Sequence, residues 1–184
     1  MEIKITTKHL LKMLLVVSWI LFIGLCVEAG GVIFNIVYTL FFNPNEAITF
    51  WNEADLSSLY QYDHGYFLVI TGFMSVTTVM KALIFYLIVK ILHEKKLDMV
   101  QPFSETMGRF IFNLSYLTFG IGLFSWWGIK YAMWLVTLGV KMPEIQHLLF
   151  DGANVWLFTS VTLFVIALVF KRGVEIQAEH ELTV

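Results

Sequence analysis

One cysteine and a charged fraction of only 14% are the first things this chain of 184 residues does without. The lone Cys26 excludes an intramolecular dithiol redox cycle and any cysteine-rich zinc site. The five histidines, His9, His64, His93, His147 and His180, all lie outside the interiors of the apolar stretches. A haem held between helices would therefore lack axial ligands. No H-E-x-x-H, G-x-S-x-G or phosphate-binding glycine loop occurs, so no catalytic constellation, metal site or cofactor site is expected. A formal net charge of −2 offers no basic surface for nucleic acid.

What is present in excess is apolar surface. The chain is 58% hydrophobic and 16% aromatic, with a mean hydropathy of +0.76. A soluble domain carries about 25% charged and 45–50% apolar residues. Four apolar stretches stand out, at 10–42, 66–92, 110–140 and 148–170. A helix needs about 20 residues to cross a hydrocarbon core of ~30 Å, and each stretch supplies them. In lipid, only helices satisfy every backbone polar group within one segment. The expected fold is an all-α integral membrane protein of one domain with four transmembrane helices. Span 1 is too long for a secretory signal and reads as a retained anchor.

Basic residues set the expected orientation. Lys4, Lys8 and Lys12 lie before or at the start of span 1; Lys90, Lys95, Lys96 and Arg109 lie in or beside the 93–109 loop; Lys171 and Arg172 follow span 4. The opposite side carries Lys141, and its 43–65 loop holds Glu46, Glu53, Asp55 and Asp63 with no Lys or Arg. The positive-inside rule places both termini, the 93–109 loop and the 171–184 tail in the cytoplasm, in a cytoplasmic (inner) membrane. Spans 1 and 3, about 50 Å and 46 Å as single helices, exceed what the bilayer requires. With the 43–65 loop they would build a small extracytoplasmic cap containing a short helix around 46–60. The Gly30-Gly31 pair is a candidate kink.

Away from the span ends, four charged residues fall within the spans: Glu28, Lys81, Lys130 and Asp151. Each is costly against lipid and should face protein or water. Counted from the cytoplasmic ends, Glu28, Lys130 and Asp151 lie about 27–30 Å up. They are expected to form one charged layer near the outer boundary, supported by Asn154. Lys81, about 17 Å up, has no carboxylate at its level by that count. Such groups either mark a ligand or ion site or simply fix helix register. Helical spacing suggests inward faces: Gly24, Glu28, Gly31 and Asn35; Thr71, Thr78 and Lys81; Gly120, Trp127, Lys130, Trp134 and Thr137; and Asp151, Asn154, Phe158 and Thr162.

On the cytoplasmic side, Pro102 would stop span 2, Ser104 would N-cap the next helix with Glu105 in its first turn, and Phe103 would act as a staple. Gln101-Pro102-Phe103-Ser104 with Arg109, together with Gly173-Val-Glu-Ile-Gln-Ala-Glu-His-Glu-Leu-Thr-Val184, resembles the bacterial four-span membrane family catalogued as domain-of-unknown-function family 2975. The 43–65 insertion is longer than in the shortest members of that family. The resemblance implies a bacterial inner-membrane protein and supplies no catalytic residues. Members commonly accompany small helix-turn-helix regulators, which implies a regulatory setting.

The leading expectation is a non-enzymatic membrane protein with a sensory, regulatory or partner-binding role. A cytoplasmic protein partner would meet 93–109 and 171–184, and the lipid bilayer and a homo-oligomer are further expected partners. The alternative is a small ion- or proton-coupled transporter using Glu28 and Lys81.

Overall fold

The structure is a computed structural model and describes residues 7–94 and 104–181. The Pro102 stop, the Phe103 staple and the last three residues lie outside the described residues. Among the described residues five α-helices form: α1 (Thr7–Phe41), α2 (Ser57–Tyr62), α3 (His64–His93), α4 (Glu105–Thr137) and α5 (Ala153–Glu181). Four of them, α1, α3, α4 and α5, are long and apolar enough to cross a membrane. The chain is thus an all-helical, multi-pass membrane protein. α1 continues through Gly30 and Gly31 without a break in the helix.

Local chemistry sets the helix ends. The Asp63 carboxylate accepts from the Tyr66 amide at 2.9 Å and starts α3. The Ser104 hydroxyl accepts from the Met107 amide at 3.2 Å, and Glu105 occupies the first turn of α4, as the sequence suggested. α4 closes with Gly139 at φ +85°, the Gly139 amide bonded to the Val136 carbonyl and the Val140 amide to that of Leu135. This paired arrangement satisfies two otherwise orphaned carbonyls and needs a residue that tolerates left-handed backbone.

The long helices pack serially: α1 on α3, α3 on α4, α4 on α5. Small and hydroxylated residues line the seams, as expected where lipid removes the hydrophobic drive and close backbone approach must hold helices together. On α4 the buried face is Ile111, Ser115, Thr118, Gly122, Ser125, Gly128 and Ala132. Gly122 lies against Leu157 and Gly128 against the Phe150 ring, and the Ser115 hydroxyl donates to the Ser160 carbonyl at 3.0 Å.

Two of the expected inward faces are corrected by this packing. On α4, Trp127, Lys130, Trp134 and Thr137 are exposed, and beyond α4 so are Asp151, Asn154, Phe158 and Thr162. Polarity selected the wrong stripes; the small residues, which allow contact, mark the seams. The α3 face is as expected, with Thr71, Thr78 and their neighbour Thr77 fully buried.

The 43–65 segment does not form the expected helix over 46–60. It folds as 3-10 turns at Pro44–Ala47 and Trp51–Glu53 followed by the short α2. Asn43 caps the first turn with Pro44 at its start, a Phe50–Ala54 bridge closes a reversal, and Glu53 takes φ +59°. Those local bonds compete with a continuous helix. The segment folds down on α1, α3 and α4: Phe50, Leu56, Leu59, Phe67, Leu135, Leu148 and Phe150 are all 0–1% exposed within one cluster. The Trp51 indole lies on Gly31, where a Cβ would collide with the ring. The main core therefore sits at one end of the helices.

Span 4 also begins later than expected. Residues 138–152 return alongside α4 before α5 starts at Ala153, with Leu149 at φ +61° and Gly152 at φ +73° breaking the helix. Phe150 meets Gly128, nine residues before the end of α4, or about 14 Å below it. Asp151 consequently lies in a turn and not on the helix.

Candidate functional site

The polar centre of the molecule is built around Lys81. This residue is half-buried on α3, and its ammonium donates to the Leu149 carbonyl at 3.2 Å. That carbonyl belongs to the left-handed residue of the returning segment, flanked by the fully buried Leu148 and Phe150. Irregular backbone beside membrane-spanning helices must be satisfied by protein, and Lys81 supplies the donor. A bond between a charged group and a carbonyl contributes about 1.5–3 kcal/mol.

Two carboxylates, Glu28 and Asp151, act electrostatically on Lys81. Helix register explains the first. The Phe22 and Tyr86 rings lie 6.1 Å apart across the α1–α3 seam. Glu28 is six residues above Phe22 on α1, about 9 Å; Lys81 is five residues above Tyr86 on α3, about 7.5 Å. The two residues thus share one level. The two lie at different distances from their helix ends because α1 and α3 end at different heights.

The expected Glu28–Lys130–Asp151 layer does not form as direct ion pairs. Lys130 is exposed, its ammonium lying 5.8 Å from the centre of the Trp126 ring, a cation–π arrangement. Asp151 is exposed and borders a cleft of about 480 Å³ with Met133, Val136 and residues 142–146. Asn154 is exposed on the first turn of α5. Depth along a helix fixes height but not azimuth, and azimuth turns Lys130 outward. No group of three or more potential metal-ligating side chains gathers among the described residues.

Above this centre, the Lys141 amide donates to the Ser58 hydroxyl at 3.1 Å, joining the returning segment to α2. Below it, two clefts open where helix ends meet. One of about 280 Å³ is lined by Lys90, Glu94, Thr106, Arg109 and Asn113. The other, of about 430 Å³, lies between the start of α4 and the end of α5, with Glu105, Arg109, Phe112, Lys171 and Glu175. Residues 171–181 of the expected tail continue α5, with Lys171, Val174 and Glu175 beside the start of α4.

The class of protein these observations define is an all-helical membrane protein with four helices long and apolar enough to cross the bilayer. No protein-family model, no curated protein and no solved structure matches the chain.

Proposed function

We propose that the chain is a non-enzymatic protein of a bacterial cytoplasmic membrane with a sensory, regulatory or partner-binding role. Both termini face the cytoplasm in this reading, and the folded cap faces outward. The observation that carries it is the Lys81–Leu149 bond. It ties the segment that also holds α2 of the cap to a side chain partway down α3. A change at the cap would reach α3 through that contact and emerge at the clefts by Lys90, Arg109 and Lys171. The basic cytoplasmic ends, and the family resemblance with its regulatory setting, support the same reading.

The test is affinity isolation from native membranes, with the full chain, with residues 173–184 removed, and with Lys81→Met. A stoichiometric partner lost on truncation and altered by Lys81→Met is expected. Absence of any partner in all three preparations refutes the reading.

The common level of Glu28 and Lys81 favours one second reading, an ion- or proton-coupled carrier. Proteoliposome flux abolished by Glu28→Gln and by Lys81→Met would select it; flux indifferent to both removes it. The end helices α1 and α5 each pack along one long neighbour, which leaves faces for a homo-oligomer.

A further inference from the structure

The seam between α1 and α3 carries a groove of about 370 Å³ whose lining includes Phe22, Cys26, Ala29, Ala82, Leu83 and Tyr86. Its floor consists of small side chains, its rim of two aromatic rings, and its lining is almost wholly apolar. The groove runs from the Phe22–Tyr86 level up to Ala29 and Val79, beside the Glu28–Lys81 level, between two helices long and apolar enough to cross the membrane, so its occupant comes from within the bilayer. Lys90 stands at its foot. At 100° per residue Leu83, Tyr86 and Lys90 fall on one narrow strip of α3, with Lys90 one turn, about 6 Å, below Tyr86. Lys90 is exposed and also lines the 280 Å³ cleft with Arg109, Thr106 and Asn113. The negative groups nearby are Glu94, on the same cleft, and Glu105, which is paired with Arg109 at 2.7 Å.

We propose that this groove and Lys90 form a binding site for one anionic phospholipid, its acyl chain in the α1–α3 groove and its phosphate on Lys90. A transmembrane helix needs small residues along a whole seam, whereas Trp19, Ile23 and Val27 on α1 are large and exposed. A flexible acyl chain fits a short groove between bulky neighbours. A basic residue at the headgroup level selects anionic over zwitterionic lipid. The site rests on the membrane orientation proposed above but requires no protein partner, so its outcome is separable from that of the partner test.

The experiment is native mass spectrometry of the full chain in neutral detergent, titrated with phosphatidylglycerol or with phosphatidylcholine of the same acyl chains. Phosphatidylglycerol is expected to be retained preferentially. Lys90→Gln should weaken its apparent affinity about fivefold, the effect of one interfacial lysine, and leave phosphatidylcholine unchanged. Ala82→Phe fills the groove and should weaken both lipids; if that variant is aggregated, Leu83→Trp replaces it. Equal binding of the two lipids to the wild type, or no effect of Lys90→Gln, overturns the proposal. Displacement of the lipid by millimolar inorganic phosphate would show a free-phosphate site instead. A Cys26–Cys26 crosslinked dimer in membranes, abolished by Ala82→Phe, would assign the groove to a second copy and also overturn it.

Discussion

Replacing Gly122 by alanine isolates the packing that holds α5 on α4. A Cβ at Gly122 would sit 2.7 Å from Leu157 Cγ, 2.9 Å from Leu157 Cδ2 and 2.9 Å from the Leu157 backbone nitrogen. The leucine tip can rotate away; the backbone nitrogen moves only if α5 moves. Overpacking of this kind costs about 1–3 kcal/mol. The same substitution at Gly24 meets nothing within 4 Å, and both glycines lie inside helices. The helix-propensity gain of alanine, at most about 1 kcal/mol, is therefore common to both and cancels in the comparison. Gly24→Ala should be neutral or stabilising, and Gly122→Ala should lie about 1–3 kcal/mol below it. That gap is roughly a 5- to 150-fold change in the unfolding equilibrium. Reversible unfolding in mixed micelles, followed by far-UV circular dichroism, measures it. Equal stabilities would refute the close α4–α5 approach, and with it the small-residue seam.

Other perturbations address the cap, the centre and the helix ends. Lys81→Met deprives the Leu149 carbonyl of its donor and should cost about 1.5–3 kcal/mol in the same unfolding assay; unchanged stability would mean that the bond is a net-neutral tether. The Asp55 carboxyl accepts from the Ser57 hydroxyl at 2.5 Å and the Ser57 amide at 3.0 Å, and those bonds hold its pKa below the ordinary carboxylate range. A depressed folded pKa gives stability that is present above the unfolded value of about 3.9. That stability is lost as pH falls through the lower folded value. Trp51 fluorescence should report an acid loosening of the cap, and Asp55→Asn should remove its dependence on this group. Ser104→Ala should cost about 1 kcal/mol and raise hydrogen exchange in the first turn of α4; unchanged protection there would show that the cap bond is dispensable.

Much of the architecture is legible along the chain because membrane crossing is a one-dimensional constraint. Lipid offers no partner to the backbone, so apolar length alone announces α1, α3, α4 and α5. Ser104 as a cap is equally local: a hydroxyl and an amide three residues apart need nothing distant to meet. The cap failed as a single helix over 46–60 because Asn43, Pro44 and the Phe50–Ala54 bridge set turns whose energies rival those of a short helix. On α4 and α5 polarity is not the sign of burial, since Lys130, Thr137, Asn154 and Thr162 are all exposed. In hydrocarbon the sign is small size, carried here by Ser115, Gly122, Ser125 and Gly128.

The sequence by itself determined that the protein has four helices long and apolar enough to cross a membrane, and which residues within those stretches carry charge. Tertiary structure alone decided how those charges meet. The offset of α1 against α3 brings Glu28 level with Lys81, and the left-handed turn at Leu149 lowers a backbone carbonyl onto the lysine. Azimuth sends Lys130 outward to Trp126. Depth along a helix follows from residue counting, but the relative slide and rotation of helices follow from side-chain packing, which couples residues far apart in the chain.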